Sequence, residues 1–309
     1  MTTELPSVAP EILRDLERID HRHAVRLGLF VGMYLSSAAL TLWIVSIHGS
    51  GWETLALCLP LYLLSAVSLH GISLFTHEGV HGGLSRSRFW NRALSIACAL
   101  PVLQNFAAYR VLHLRHHHDT GGHWDPDHYE NYSGRSCLLF LMHWGRLLAG
   151  YPAYITAIPL LALRHGKKAD RFWTLFESGL LIFLITAVLL SPIPRAWLVH
   201  AWLLPMVFIN TLVNIRGMSQ HTLLDEPKHP IRGTRTILAG PVVAFFMCNE
   251  NFHLEHHLYP RIPWYNLPRL HRLLRAELVA ARAPFIPSYS AFVKFFAVHS
   301  LSLVLQGRR

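Results

Sequence analysis

Charge is scarce in this chain. Of 309 residues only 28 are Lys or Arg and 18 are Asp or Glu, while 52% are apolar and the mean hydropathy is +0.29. That balance excludes a disordered chain and argues against an ordinary soluble domain. Cysteine is sparse as well: Cys58, Cys98, Cys137 and Cys248 stand singly in apolar stretches with no C-x-x-C spacing, which excludes a disulfide framework and a thiolate metal site. The first 26 residues carry Glu4, Glu11, Arg14, Asp15, Glu17 and Arg18 without an apolar core, so no cleavable signal peptide is visible. Short-period repeats and low-complexity linkers are missing too. A net charge of +10 suggests nucleic acid, but the basic residues form no compact patch with interleaved aromatics. They flank apolar segments, where attraction to anionic lipid head groups accounts for them.

Long apolar runs are what the chain has in quantity. Leu27 to Ile47, Thr54 to Thr76, Ser178 to Pro194 and Ala196 to Ile215 are each about the 17–25 residues that a bilayer-spanning helix needs. They pair into two hairpins with tips at His48 to Glu53 and Ser191 to Arg195. Of the 28 Lys and Arg residues only Arg195 lies in a tip, which leaves 27 on the other side and places both termini and the middle region in the cytoplasm. Two more apolar runs, Ala93 to Tyr109 and Leu147 to Leu163, would break this charge rule if they crossed. Each contains proline, at Pro101 and at Pro152 and Pro159, and both read as re-entrant or interfacial segments. From Pro263 to Arg282 the pattern is amphipathic, with Leu267, Leu270, Leu274 and Leu278 on one stripe, and predicts a membrane-surface helix. The sequon at Asn131-Tyr132-Ser133 falls on the cytoplasmic side and is discounted. The expected architecture is an all-α integral membrane protein of one domain, 1–309. Four transmembrane helices in two hairpins, within 27–76 and 178–215, come after a cytoplasmic segment 1–26; a histidine-rich cytoplasmic cap and interfacial helices come from 77–177 and 216–309.

Twenty-two histidines in such a chain require a reason, because ionisable groups near lipid are costly. His77 and His81 form H-x-x-x-H at the cytoplasmic end of the second span. His113, His116 and His117 form H-x-x-H-H, and His253, His256 and His257 repeat that pattern. On a helix, positions i, i+3 and i+4 share a face, so each cluster is expected to offer its imidazoles to one point. Three converging clusters supply enough nitrogen for two metal ions, and His221, just beyond the fourth span, makes a ninth ligand. Carboxylates at Glu78, Asp119, Asp125, Asp127, Glu250 and Glu255 are placed to hold the second ring nitrogens. Imidazole suits zinc, copper, nickel and iron alike, and the number of ligands points to a dinuclear redox centre. His118 lies off the shared face, His123 and His128 fall in a loop, and His70 and His200 sit within spans, where they could line a cavity.

Taken together, His77-Glu78-Gly79-Val80-His81, His113-Leu114-Arg115-His116-His117 and Asn251-Phe252-His253-Leu254-Glu255-His256-His257-Leu258-Tyr259-Pro260 resemble the three histidine boxes of the membrane fatty acid desaturases, and the tail through Pro268 resembles the segment after the third box in that family. The resemblance implies two irons on the cytosolic face of a four-span bundle, O₂ as co-substrate and His221, preceded by Arg216, as the additional ligand. Glu78, Asp125, Asp127, Asn251 and Glu255, close to the boxes in the sequence, are expected to support the di-iron centre. The first box has the three intervening residues of acyl-lipid desaturases, and the third begins with His253 where front-end desaturases commonly carry glutamine. No fused cytochrome b5 or rubredoxin module is visible, so an external donor of ferredoxin or cytochrome b5 type is expected to deliver the electrons. The size resembles bacterial members, which implies a bacterial inner membrane rather than the endoplasmic reticulum.

Introduction of a double bond into a lipid acyl chain is therefore the expected activity. Hydroxylases and ketolases acting on carotenoids, alkanes or sphingolipids share similar boxes and stay open as alternatives. Read alone, His77-Glu78-Gly79-Val80-His81 is also the H-E-x-x-H of zinc metalloproteases, with Glu78 as general base. An intramembrane protease needs only one further ligand and leaves most of the clustered histidines without a role. A metal transporter would carry ionisable groups along its spans, which hold almost none.

Overall fold

The computed structural model describes residues 5–305, and among them the architecture is helical apart from one two-residue strand pair. The helices are α1 Pro10–Leu16, α2 Arg22–His48, α3 Trp52–Val80, α4 Arg88–Ala99, α5 Phe106–His118, α6 Ser136–His165, α7 Lys168–Leu190, α8 Arg195–Leu198, α9 Leu204–His221, α10 Pro241–Phe246, α11 His253–Leu258, α12 Leu267–Ala280 and α13 Tyr289–Leu305. A short π-helical stretch, Val199–Leu203, joins α8 to α9 into one rod. Five helices are long and apolar enough to cross a membrane: α2, α3, α6, α7 and the α8–α9 rod. Their outer faces expose large apolar side chains such as Trp43, Ile182, Phe183 and Val207, as lipid-facing surfaces do. These are the properties of an integral membrane protein.

Helices α2 and α3 form the first hairpin. Gly49, in the left-handed region at φ 73°, makes the tight turn after α2, where a side chain would be strained. Phe30 of α2 lies against Gly71 of α3, Leu69, Phe75 and Ile209, and this cluster is the core of the bundle. Ser37 and Ser65 share a buried hydrogen bond of 2.7 Å between the two helices, so neither hydroxyl is left unpaired in the apolar interior.

The segment Ala93 to Tyr109 turns back on itself: α4 with its 3₁₀ extension to Val102 meets α5 at 102°. Chain reversal at this depth frees backbone groups that lipid cannot satisfy, and the protein satisfies them internally. Tyr151 donates to Val102 O (2.7 Å) and Trp202 Nε1 to Pro101 O (2.8 Å). Asn105 caps α5 by accepting from Ala108 N and ties it to α7 through Thr174 O, while the Glu177 carboxylate accepts from Ala107 N at 2.8 Å.

One expectation is sharpened and one is corrected. The second proline-containing run lies inside one continuous 30-residue helix, α6, with Pro152 and Pro159 in its interior, so α6 joins the four expected spans as a fifth helix long and apolar enough to cross a membrane. The amphipathic helix α12 does not present its stripe to lipid. Leu267, Leu270, Leu274 and Leu278 are fully buried against Leu16 of α1, Leu254 of α11, Ile231 and Ile262. An amphipathic pattern specifies that one face is dry; it does not specify what covers it. Strand Thr236–Ile237 pairs in parallel with Phe285–Ile286 and links the segment before α10 to that before α13.

Candidate metal centre

Four elements deliver the nine histidines. His77 is in the last turn of α3 and His81 caps it; His113, His116 and His117 are on α5; His221 ends α9; His253, His256 and His257 are on α11. The close approach of α3 to its neighbours depends on Gly79. A Cβ there would lie 1.8 Å from Ser95 Oγ of α4, so only glycine lets the first box seat this deeply.

The structure brings the nine rings into two groups, His77, His81, His113, His117 and His256 in one and His116, His221, His253 and His257 in the other. This differs from the expectation that each sequence cluster serves a single point. In both H-x-x-H-H boxes the i, i+4 pair enters one group and the i+3 residue enters the other. On a helix i+3 and i+4 lie about 100° apart, so a helix aimed between two points feeds both.

In the first group, Nε2 atoms approach at 3.1 Å between His81 and His113, 3.0 Å between His113 and His117, and 3.2 Å between His117 and His256. In the second, the distances are 3.2 Å for His116 and His221, 3.1 Å for His221 and His253, and 3.1 Å for His253 and His257. Nitrogens about 2.1 Å from a common ion and at right angles to one another are about 3.0 Å apart. Burial, reinforced by neighbouring imidazoles, pushes His81 down to about 3 and His256 and His257 well below the usual histidine range. Burial thus favours the neutral form of these three rings, and the inward-facing Nε2 atoms of the two donor sets fit two first-row transition-metal ions.

The outer ring nitrogens are held from behind. His116 Nδ1 donates to Asp125 Oδ1 at 2.8 Å, and Asp125 is itself fixed by Gly121 N (2.7 Å) and Asp127 N (2.9 Å). His221 Nδ1 donates to Gly233 O at 3.2 Å, which commits Nε2 to the inside. Glu250, buried, has Oε1 2.9 Å from His77 Nδ1 and Oε2 3.6 Å from His253 Nδ1 and 3.5 Å from Arg216 Nη1. The approach to His77 is close but not aligned as a hydrogen bond. Burial raises the Glu250 carboxyl, yet His77, His253 and His256 together hold it well below the usual carboxylate range.

The other expected supporting residues lie differently. Glu78 groups with His77 and Glu250 and accepts from Trp264 N at 3.4 Å. Asp127, half exposed, is 3.9 Å from His116 Nδ1. Asn251 faces away from the rings, donating to Ile237 O at 2.9 Å, and Glu255 accepts from Thr236 Oγ1 (2.6 Å) and pairs with His271 of α12. Both anchor the third box to its surroundings. Asp119 accepts from Trp124 N and serves its loop. Within the spans, His200 bonds Tyr62 and His70 is buried, and neither lines the cavity that reaches the rings. Glu250 carries no box signature, and its central position was visible in the sequence only as one of several nearby acids.

That cavity, of about 990 Å³, reaches His77, His113, His116, His221 and His253 from between α5, α6, α9 and the loop 121–134. A polyhistidine cluster that could hold metal, at the end of an apolar helical bundle and opening on such a cavity, is the candidate functional site of this membrane protein.

The family model for fatty acid desaturases matches residues 50–289. The chain belongs to the fatty acid desaturase family and is a desaturase-family oxidoreductase, so the protease reading of the first box falls. Among curated proteins it is similar to the sn-1 oleoyl-lipid 12-desaturase of Arthrospira platensis, 26% identical over 71% of this chain and 70% of that one. It is 23% identical to the acyl-lipid (9+3)-(E)-desaturase of Dimorphotheca sinuata over 83% and 78% of the two chains, and 24% identical to the beta-carotene ketolase of Paracoccus sp. (strain PC1) over 77% and 91%.

Proposed function

We propose that this protein introduces a double bond into the acyl chain of a membrane lipid, using two iron ions, O₂ and electrons from a separate ferredoxin or cytochrome b5 type protein. The observation that carries the reading is the five-plus-four division of nine buried or half-buried imidazoles, five of which line one cavity. His77, His81, His113, His117 and His256 would hold one iron, and His116, His221, His253 and His257 the other. When bound, the pair supplies the reductive activation of O₂ and the hydrogen abstraction that side-chain acid–base chemistry cannot perform on an unactivated C–H bond.

The protein's own groups orient and exclude. Asp125 and Gly233 O fix the tautomers of His116 and His221, and Glu250 offsets positive charge beside His77 and His253 without occupying an inward position. Leu74, Leu112 and Ile158 line the cavity beside the rings and keep water from the reacting carbon. The similarity to a beta-carotene ketolase supports oxygen insertion as the second reading.

The charge split of the sequence supports a cytoplasmic centre and cytoplasmic termini. Helix α6, though long, fits a course across the base of the bundle rather than through it. Its Arg146 reaches Gly217, one turn before His221, and Gly166 just beyond its end packs on Val111, two residues before His113. Both contacts lie near the histidine level.

Expression in a host of defined lipid composition, with mass spectrometry of total lipids as the readout, tests the reaction. Loss of two hydrogens is expected, and gain of one oxygen would favour the second reading. Purified protein with reductase and donor should consume O₂ only when lipid is present; hydrolytic turnover without O₂ or reductant would overturn both.

A further inference from the structure

The cavity has a built polar end that the metal centre does not use. Arg146 of α6 donates from Nε to Asn214 Oδ1 at 2.9 Å, and its guanidinium lies over the Tyr129 ring, 4.5 Å from the centroid. Asn214 is held in turn, its Nδ2 donating to Asn210 O at 2.7 Å. The fork is therefore oriented by a hydrogen bond on one edge and an aromatic face below. No carboxylate pairs with it among the described residues; Asp127, on the same wall, turns instead toward His116. A positioned guanidinium on the wall of a cavity, with no carboxylate of the described residues within ion-pair distance, is built to receive an oxyanion.

From Arg146 the cavity runs along α6. Gly145, Ala149, Ala153, Ala157 and Leu161 all line it and stand four residues apart, so they form the oblique i±4 row of the helix surface. The small side chains of Gly145, Ala149, Ala153 and Ala157 along that row leave a groove, and the sixteen steps from Gly145 to Leu161 cover about 24 Å at 1.5 Å per residue. A groove of this length suits an extended chain and is far longer than a compact polar substrate needs. Leu112, His113 and His116 of α5 line the same cavity. Arg146 also lies against Gly217, one helical turn before His221, so the polar end of the groove is close to the histidines.

We propose that Arg146 binds the oxyanion of a single-chain or chain-bearing lipid, carboxylate or phosphate, and that the chain lies along the Gly145–Leu161 row. The substrate is thus read from its polar end, with Arg146 as the specificity-determining residue and the small residues of α6 setting the length accepted. This rests on the lipid-oxidising reading of the site, so its test is equilibrium binding, without reductant or turnover, to the metal-loaded full-length protein in detergent.

The probes are hexadecanoate, its methyl ester, octanoate and phosphatidylglycerol. Wild type should bind hexadecanoate more tightly than the ester. R146Q should weaken hexadecanoate by about 10- to 100-fold, as expected for a lost charge-assisted pair, and leave the ester unchanged. R146K should restore part of the loss, and A157F should weaken hexadecanoate while sparing octanoate. Displacement of hexadecanoate by phosphatidylglycerol, with the same dependence on Arg146, assigns the oxyanion to a phospholipid head group; failure to displace assigns it to a free acid. Equal affinity of wild type for acid and ester, or an R146Q variant of unchanged metal content that binds the acid normally, would overturn the proposal and leave the oxidase reading standing.

Discussion

Glu250 and Asp125 make the division of the histidines testable, because they stand behind different sets. Of the nine rings Asp125 touches only His116, which belongs to the four-ring group. Glu250 approaches His77 of the five-ring group at 2.9 Å and His253 of the four-ring group at 3.6 Å. Loss of an outer-shell partner of a metal-bound histidine typically lowers metal affinity about 10- to 100-fold, or roughly 1.4–2.7 kcal/mol. Glu250→Gln removes the negative charge facing both rings and leaves Arg216 without its buried counter-charge, so both ions should be weakened by that factor. Asp125→Asn should weaken one ion and leave the other as in wild type. The assay is metal per polypeptide by mass spectrometry after dialysis against graded chelator. Wild type should release its metal in one high range, E250Q should release two equivalents early, and D125N should release one early and one late. Equal early loss of both ions from D125N, or wild-type retention by E250Q, would refute the assignment of these carboxylates to the two groups.

The fold carries two further expected outcomes. Gly79→Ala should cut the yield of folded protein, because its Cβ would meet Ser95 Oγ at 1.8 Å, and adding Ser95→Gly should restore it; size-exclusion profiles in detergent report both, and a lone G79A variant with wild-type yield would contradict the packing. Single cysteines at Gly51 and Ser133 in a background lacking the four native cysteines should react with impermeant reagent from opposite sides of the membrane, and reaction from the same side would sink the two-hairpin orientation.

The helical class, the long apolar segments and the nine histidines were legible in the sequence because each is a local pattern. Apolar runs of bilayer length are read from composition, and H-x-x-H-H spacing is set by the pitch of one helix. Other features depended on what each pattern meets in space. The leucine stripe of α12 specified a dry face, but only the packing of α1 and α11 made protein, not lipid, its cover. Pro152 and Pro159 suggested a broken segment, yet they are accommodated within the continuous helix α6.

The metal centre divides in the same way. Sequence spacing determined that the rings of each box would emerge close together. Which rings shared a point was decided by the direction in which α5 and α11 face each other, and that direction sends His113 and His117 to one group and His116 to the other, with the reverse arrangement for His253, His257 and His256. Glu250 gained its place for the same reason. A carboxylate has no spacing rule relative to ligands on other helices, and it becomes a partner of His77 and His253 only when the turn before α11 folds against the end of α3. Local periodicity is written residue by residue along the chain, whereas the pairing of one helix face with another is set by side-chain packing across elements distant in sequence.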